Sequence, residues 1–181
     1  MNEVIQTILA RKGTKVYKSD PVPRKDLELL AKVGIAAPNA YNAQEWHFSF
    51  VTNATLLNEL EKQVYQALLT CGISKPGGNQ HPLYEAPVLV VISADRNSAF
   101  AKQDCSAANE NIAIAAKSLG FGSRFLDVPN HFFNAPGGET YKKRCGVPDG
   151  YDTICFLALG YPADSGEVAT EKKNDVVSFI E

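Results

Sequence analysis

Apolar positions recur every three to four residues from about Glu3 to Arg11, where Val4, Ile5, Ile8 and Leu9 form one stripe. That spacing predicts a helix, and Asn2 stands where a cap is favoured. Leu27, Leu30, Ala31 and Ile35 repeat the pattern over about Arg24 to Ala37. Pro38 must end that second helix, because it fixes its own φ and pushes Ala37 out of helical geometry. His47-Phe48-Ser49-Phe50-Val51 alternates and reads as a strand. Asn53 then caps a third helix carrying Leu56, Leu57, Leu60, Val64 and Leu68. Gly72 to His81 is a loop around Pro76-Gly77-Gly78-Asn79.

Ala86 to Ile92 is continuously apolar and β-branched, as expected of a strand buried on both faces. A long helix follows from about Asp104 to Leu119, with Asp104 near its positive end. Its face of Ala108, Ile112, Ala115, Ala116 and Leu119 is small, which permits close packing against another long element. Gly120-Phe121-Gly122 breaks it, Ser123 to Leu126 begins a further strand, and Tyr151 to Leu159 forms the last one. The polar tail from Ala163 to Lys173 has too little apolar surface for a core of its own. Helices and strands are interspersed without regular βα alternation, so the pattern favours an α+β fold, one sheet flanked by helices.

The chain of 181 residues fits a single domain, 1–181. Its net charge of -2 gives no electrostatic footprint for nucleic acid or an anionic membrane, and no apolar run has the length of a span. The first residues lack a basic region and a long apolar core, so no signal peptide is expected and a cytoplasmic location is the default. Cys71, Cys105, Cys145 and Cys155 are widely spaced without a C-x-x-C pair, which fits reduced thiols rather than a metal or iron–sulfur site. His47, His81 and His131 are likewise scattered, and no metal ligands are expected.

Two short stretches concentrate polar chemistry. Arg11-Lys12-Gly13-Thr14-Lys15 places three cations around a glycine at a helix end. Cations there suit the helix dipole, and they also suit a phosphate clamp in which the glycine lets the backbone approach an oxyanion. Ala37 to Phe48 packs Asn39, Asn42, Gln44 and the only Trp, Trp46, beside Pro38. Side-chain amides favour turns for local reasons, and they equally match a planar ring edged with C=O and N–H groups. No G-x-S-x-G, P-loop or dinucleotide fingerprint is present, and no catalytic side chain is assigned. Cations and amides without an evident nucleophile or base fit a protein whose chemistry is carried by a bound cofactor.

Taken in order, these segments resemble the FMN-dependent nitroreductase family. An R-x-S-x-R-like opening stands at Arg11 to Lys15, and A-P-S-x-x-N-x-Q-P-W at Ala37 to Trp46. An A-P-hydrophobic strand stands at Ala86 to Ile92, L-G-hydrophobic-G at Leu119 to Gly122, and a terminal G-Y-P at Gly160 to Pro162 before basic residues. The resemblance covers nearly the whole chain. It implies a central, mostly antiparallel sheet flanked by helices, with a C-terminal tail extending onto the partner subunit of a homodimer. It also implies bound FMN and a ping-pong cycle through flavin N5, in which NAD(P)H reduces a nitroaromatic, quinone or similar electron-poor small-molecule acceptor.

By position, the resemblance assigns Arg11, Lys12, Gly13 and Lys15 to the ribityl phosphate and pyrimidine edge of the flavin, with Lys15 near N1 and O2. Pro38, Asn39, Ala40, Asn42 and Gln44 approach the ring from the partner, Asn79 makes a polar ring contact, and Leu126, Asp127 and Val128 lie near N5. Lys172 and Lys173 take the place of the basic residue that grips the phosphate. Phe132, Phe133 and Tyr141 are expected to stack on an aromatic acceptor. The chain departs from the family pattern at several of these positions. Gly13 and Asn39 stand where serines are usual, Lys15 and Lys172/Lys173 where arginines are, and Glu45 where a proline precedes Trp46. A flavin-binding module of the same fold with a regulatory, storage or flavin-consuming role is the alternative reading.

Overall fold

The computed structural model describes residues 1–163, 167–168, 171–173 and 175–181. Among these residues six strands form one sheet: β1 (Gly13–Thr14), β2 (Trp46–Val51), β3 (Val88–Asp95), β4 (Gly122–Leu126), β5 (Tyr151–Gly160) and β6 (Glu167–Val168). Their order across the sheet is β2-β3-β5-β4-β1-β6. Every pairing is antiparallel except β1 with β4, where Gly13 sits opposite Ser123. Among the described residues six α-helices flank it: α1 (Glu3–Ala10), α2 (Arg24–Ile35), α3 (Ala54–Thr70), α4 (Ala101–Ser118), α5 (Asn130–Phe133) and α6 (Glu139–Arg144).

The alternation of side chains along the two central strands divides the core. On β3, Val88, Val90, Ile92 and Ala94 face α2 and α4, together with Cys155, Leu157 and Leu159 of β5. Leu89, Val91, Phe156 and Ala158 face the other way, onto Leu56, Leu60, Val64 and Leu68 of α3. Covering both faces is what makes Val88 to Ile92 and Cys155 to Leu159 continuously apolar, because every one of these positions is buried. Burying each such aliphatic side chain contributes about 1.5–3 kcal/mol. The small face of α4 lets α2 lie close: a Cβ at Gly34 would come within 2.8 Å of Ile112 Cδ1.

Asn2 and Asn53 cap their helices as the sequence implies, accepting from the amides of Ile5 at 3.0 Å and Leu56 at 2.9 Å. Four expectations change. The Arg11 to Lys15 stretch does more than end α1, since Gly13–Thr14 is itself a strand. The long helix begins at Ala101, a turn earlier than Asp104. Strand β6 follows β5 and pairs with β1, so β5 is not the last strand. Part of the tail from Ala163 to Lys173 lies outside the described residues, and the strand falls within it. Phe132 and Phe133 are buried with Phe156 in the α3-side core, 6% and 0% exposed, so neither is placed to stack on an acceptor. Short amphipathic helices turned them inward, which a stretch this brief does not reveal by periodicity.

Candidate functional site

Strand β1 is only two residues long, and it carries the basic stretch between β4 and the edge strand β6. Arg11 Nε donates to Glu110 Oε1 of α4 at 3.0 Å, which ties the end of α1 to that helix. Lys12 is exposed, Gly13 lies against β4, and Lys15 emerges just beyond the strand. Lys15, Val16 and Tyr17 then line a depression of about 460 Å³ together with Asn79, Tyr84 and Glu85. Asn79 and Tyr84 also line an adjoining depression of about 240 Å³, whose other wall includes Arg124, Leu126, Asp127 and Val128. The fold thus gathers three separate stretches of sequence at one place: Lys15 to Tyr17, the Asn79 to Glu85 segment and the end of β4.

The segment between those depressions is held under tension. Tyr84 and Glu85 both have positive φ, 62° and 51°, which costs a non-glycine residue on the order of 1 kcal/mol or more. Their neighbour Leu83 donates its amide to Glu61 Oε1 at 2.8 Å, and Glu61 is a buried residue of α3. Burial pushes the Glu61 carboxyl above its ordinary range, against the backbone donors of Leu83 and Glu85 that favour the charged form. Asn79 makes a local turn, accepting from His81 N at 3.0 Å and donating to His81 O at 3.3 Å. Tyr17 donates to the carbonyls of Thr14 and Ala158, both at 3.2 Å, and burial raises its phenol well above the ordinary value.

The amide loop sits elsewhere. Ala40 N donates to both carboxylate oxygens of Asp104 on α4, at 3.1 and 3.2 Å. Asn39 Oδ1 accepts from Gln44 N at 2.9 Å. Tyr41, Asn42 and Gln44 all have positive φ, between 53° and 55°. The loop is therefore a constrained shape that projects the Asn42 and Gln44 amides outward, with Tyr41 92% exposed. Its hydrogen bonds run to α4 and within itself, and Pro38 to Gln44 line neither depression. Lys172 and Lys173 are exposed. One chain therefore brings together Lys15, Asn79, Leu126, Asp127 and Val128, with Arg11, Lys12 and Gly13 at the adjoining strand, and leaves the amide loop and the tail lysines apart.

The sequence pattern passes over one residue that the fold brings into this group. Arg124 stacks its guanidinium carbon 4.7 Å from the Tyr84 ring centroid. The signal was present as a lone cation inside the four-residue strand pattern Ser123-Arg124-Phe125-Leu126. By contrast, the three buried thiols are poorly suited to chemistry: burial pushes Cys105 and Cys145 up to about 12 and Cys155 to about 11.

A mixed sheet whose β4 and β1 strands gather Lys15, Arg124 and Asn79 around two adjoining depressions offers cationic and amide donors to a ligand, without an assigned side-chain nucleophile. Residues 8–161 match the model of the Nitroreductase family, and the chain belongs to that family of oxidoreductases. A nitroreductase from Bacteroides fragilis, crystallised with bound FMN, is 29% identical and aligns over 100% of both chains with a TM-score of 0.90. Another from Desulfitobacterium hafniense, also with bound FMN, is 26% identical over 100% of both chains, again with a TM-score of 0.90. A protein of Archaeoglobus fulgidus, provisionally named a NADH dehydrogenase/NAD(P)H nitroreductase, is 30% identical over 169 residues, 91% of this chain and 88% of its own length. Among the described residues, no helix is long and apolar enough to cross a membrane.

Proposed function

We propose that the protein is an FMN-dependent oxidoreductase that takes reducing equivalents from NAD(P)H and passes them, in a ping-pong cycle, to nitroaromatic, quinone or similar electron-poor acceptors. The observation that carries this reading is the convergence of Lys15, Asn79, Asp127 and Val128 from distant stretches onto two adjoining depressions. The donor set fits FMN: cations for its phosphate and pyrimidine edge, amide groups for its ring, and backbone beside Val128 for the ring centre. FMN, when bound, supplies the hydride and electron transfer, so the absence of an assigned nucleophile or base is no obstacle.

The chain's own residues then have positional tasks. Arg11 and Lys12 hold the phosphate, with Lys172 or Lys173 closing over it, and Gly13 stands between them and Lys15 at the pyrimidine edge. Lys15 places a charge where negative charge collects on reduction, which stabilises that form electrostatically. Pro38, Asn39, Ala40, Asn42 and Gln44 reach the ring of a second copy, because in one chain they face away from the depressions. Two further features support a homodimer: the α1 stripe of Val4, Ile5, Ile8 and Leu9 is 45–68% exposed, and Val176, Val177, Phe179 and Ile180 of the tail are 64–92% exposed.

Purified protein is expected to be yellow, with flavin absorbance, and to oxidise NADH or NADPH when an acceptor is added. A yellow protein inert with both nicotinamides across a broad acceptor panel would instead favour the flavin-binding module. A colourless protein that rejects added FMN would end both readings.

A further inference from the structure

Four of the five arginines of the chain pair with carboxylates: Arg11 with Glu110, Arg24 with Glu28, Arg96 with Asp152 and Arg144 with Glu59. Arg124 has no carboxylate partner among the described residues, although it is half-buried. A guanidinium withdrawn from water without an anion is costly, and a stacked aromatic ring returns only about 0.5–2 kcal/mol of that. What the Tyr84 ring does supply is orientation, since stacking fixes the plane of the guanidinium fork. Tyr84 is itself presented by strained backbone anchored through Leu83 to Glu61, so the ring is not free to drift.

A second observation shows that room has been made for this group. A Cβ at Gly13 would lie 3.1 Å from Arg124 Nη1, tighter than side chains ordinarily tolerate. Gly13 has an unremarkable φ, so backbone freedom does not require a glycine there; the space does. The glycine in the basic stretch and the lone arginine of β4 thus form one unit, in which a side chain removed from β1 leaves volume for a fork supplied by β4.

Resting on the FMN reading above, we propose that Arg124 is a flavin-binding residue that, with Lys15, holds the N1–C2=O edge of the ring, in space that Gly13 leaves open. Arg124 opens onto the cavity it shares with Asn79, Asp127 and Val128, the ring-facing set, whereas Arg11 and Lys12 line neither depression. A planar fork matches two acceptors side by side, which a lysine ammonium does not. Negative charge grows at that edge on reduction, so the guanidinium must favour the reduced ring over the oxidised one.

The test is flavin binding by the apo-protein, followed by fluorescence quenching with FMN and with riboflavin, for wild type, Arg124→Gln, Arg124→Lys and Gly13→Ala. Arg124→Gln is expected to weaken FMN and riboflavin by the same factor, roughly tenfold for loss of one charge-assisted contact. It should also lower the bound-flavin potential by about 30 mV for each tenfold extra loss of affinity for the reduced form. Arg124→Lys should recover part of both effects. Gly13→Ala should reproduce part of the Arg124→Gln loss and add little to it in the double variant, since both act through the same group.

Loss of FMN binding with riboflavin unchanged would overturn the proposal by placing Arg124 at the phosphate. Unchanged binding and potential in Arg124→Gln would overturn it outright, while the FMN reading survives in the wild type. A wild-type protein that binds neither flavin removes the FMN reading itself.

Discussion

The Glu61 carboxylate accepts the Leu83 amide at 2.8 Å and thereby anchors the strained turn that carries Tyr84 and Glu85. Because burial raises the folded-state pKa of Glu61 above its ordinary 4.5, the folded protein holds this proton more tightly than the unfolded chain does. Its contribution to stability is therefore fully present below about pH 4.5 and is lost as pH rises through the raised folded value. His81 and Glu85 face the same carboxyl, the first favouring its charged form and the second opposing it. Glu61→Gln keeps an acceptor for Leu83 without the titration. Denaturant unfolding across pH 4 to 8 should show wild type losing stability relative to Glu61→Gln as pH rises. Parallel curves would mean that Glu61 does not titrate in that range. Glu61→Ala leaves the Leu83 amide buried and unpaired and is expected to cost about 1–3 kcal/mol at any pH.

Gly34 and Ile112 set the spacing of α2 on α4. A methyl at Gly34 would press 2.8 Å from Ile112 Cδ1 and 3.4 Å from Phe48 Cε1. Helix propensity favours alanine over glycine by about 1 kcal/mol, but crowding a close-packed site typically costs about 1–3 kcal/mol. Near the last turn of α2 the crowding outweighs the propensity, and Gly34→Ala should lower stability by up to about 2 kcal/mol. Thermal unfolding checks the sign. Ile112→Val, placed in the Gly34→Ala background, should then cost less than it does in the wild type.

The central strands were legible because their burial on both faces writes itself as unbroken apolar sequence, as in Val88 to Ile92. Asn2 and Asn53 were legible because capping is a local interaction. Strands β1 and β6 were not, since two residues carry no period, and their existence depends on β4 holding Gly13 in register. Phe132 and Phe133 misled for a related reason: their inward direction is set by packing on Phe156, distant in the chain. At the site, Lys15, Asn79 and Asp127 could be placed through a family pattern, yet Arg124 could not. Its surroundings, the space beside Gly13 that its guanidinium occupies and the ring of Tyr84, come from residues distant from it in sequence.

Asp104 does two jobs that are separable by substitution. It sits in the first turn of α4, where a carboxylate suits the positive helix end, and it captures the Ala40 amide with both oxygens. The second contact preshapes a loop in which Tyr41, Asn42 and Gln44 hold positive φ. Asp104→Ala should lower stability by about 1–2 kcal/mol and weaken FMN roughly tenfold, as the loop loses its preset shape. Asp104→Asn retains one acceptor for Ala40 and should recover most of the flavin affinity while forfeiting the charge at the helix end. Paired unfolding and flavin titrations separate the two. Equal losses in both variants would mean that loop shape is irrelevant to binding.

Helix α1 has eight residues, none of them buried, and its apolar stripe faces solvent. A helix that short is marginal in water, and the Asn2 cap with the Arg11–Glu110 pair adds little to it. Persistence of α1 thus calls for a covering surface, and a second copy of the chain is the occupant consistent with an amide loop that faces away from its own depressions. Ile5→Lys with Ile8→Lys should convert the proposed dimer to monomer in light scattering, since burying each isoleucine contributes about 1.5–3 kcal/mol. With both lost, the dimer dissociation constant should rise by more than about a hundredfold. Flavin should leave at the same protein concentration at which the dimer separates, because the amide loop then has no ring to reach. A monomer that still holds FMN with wild-type affinity would show instead that the Lys15 and Arg124 side of the site is sufficient alone.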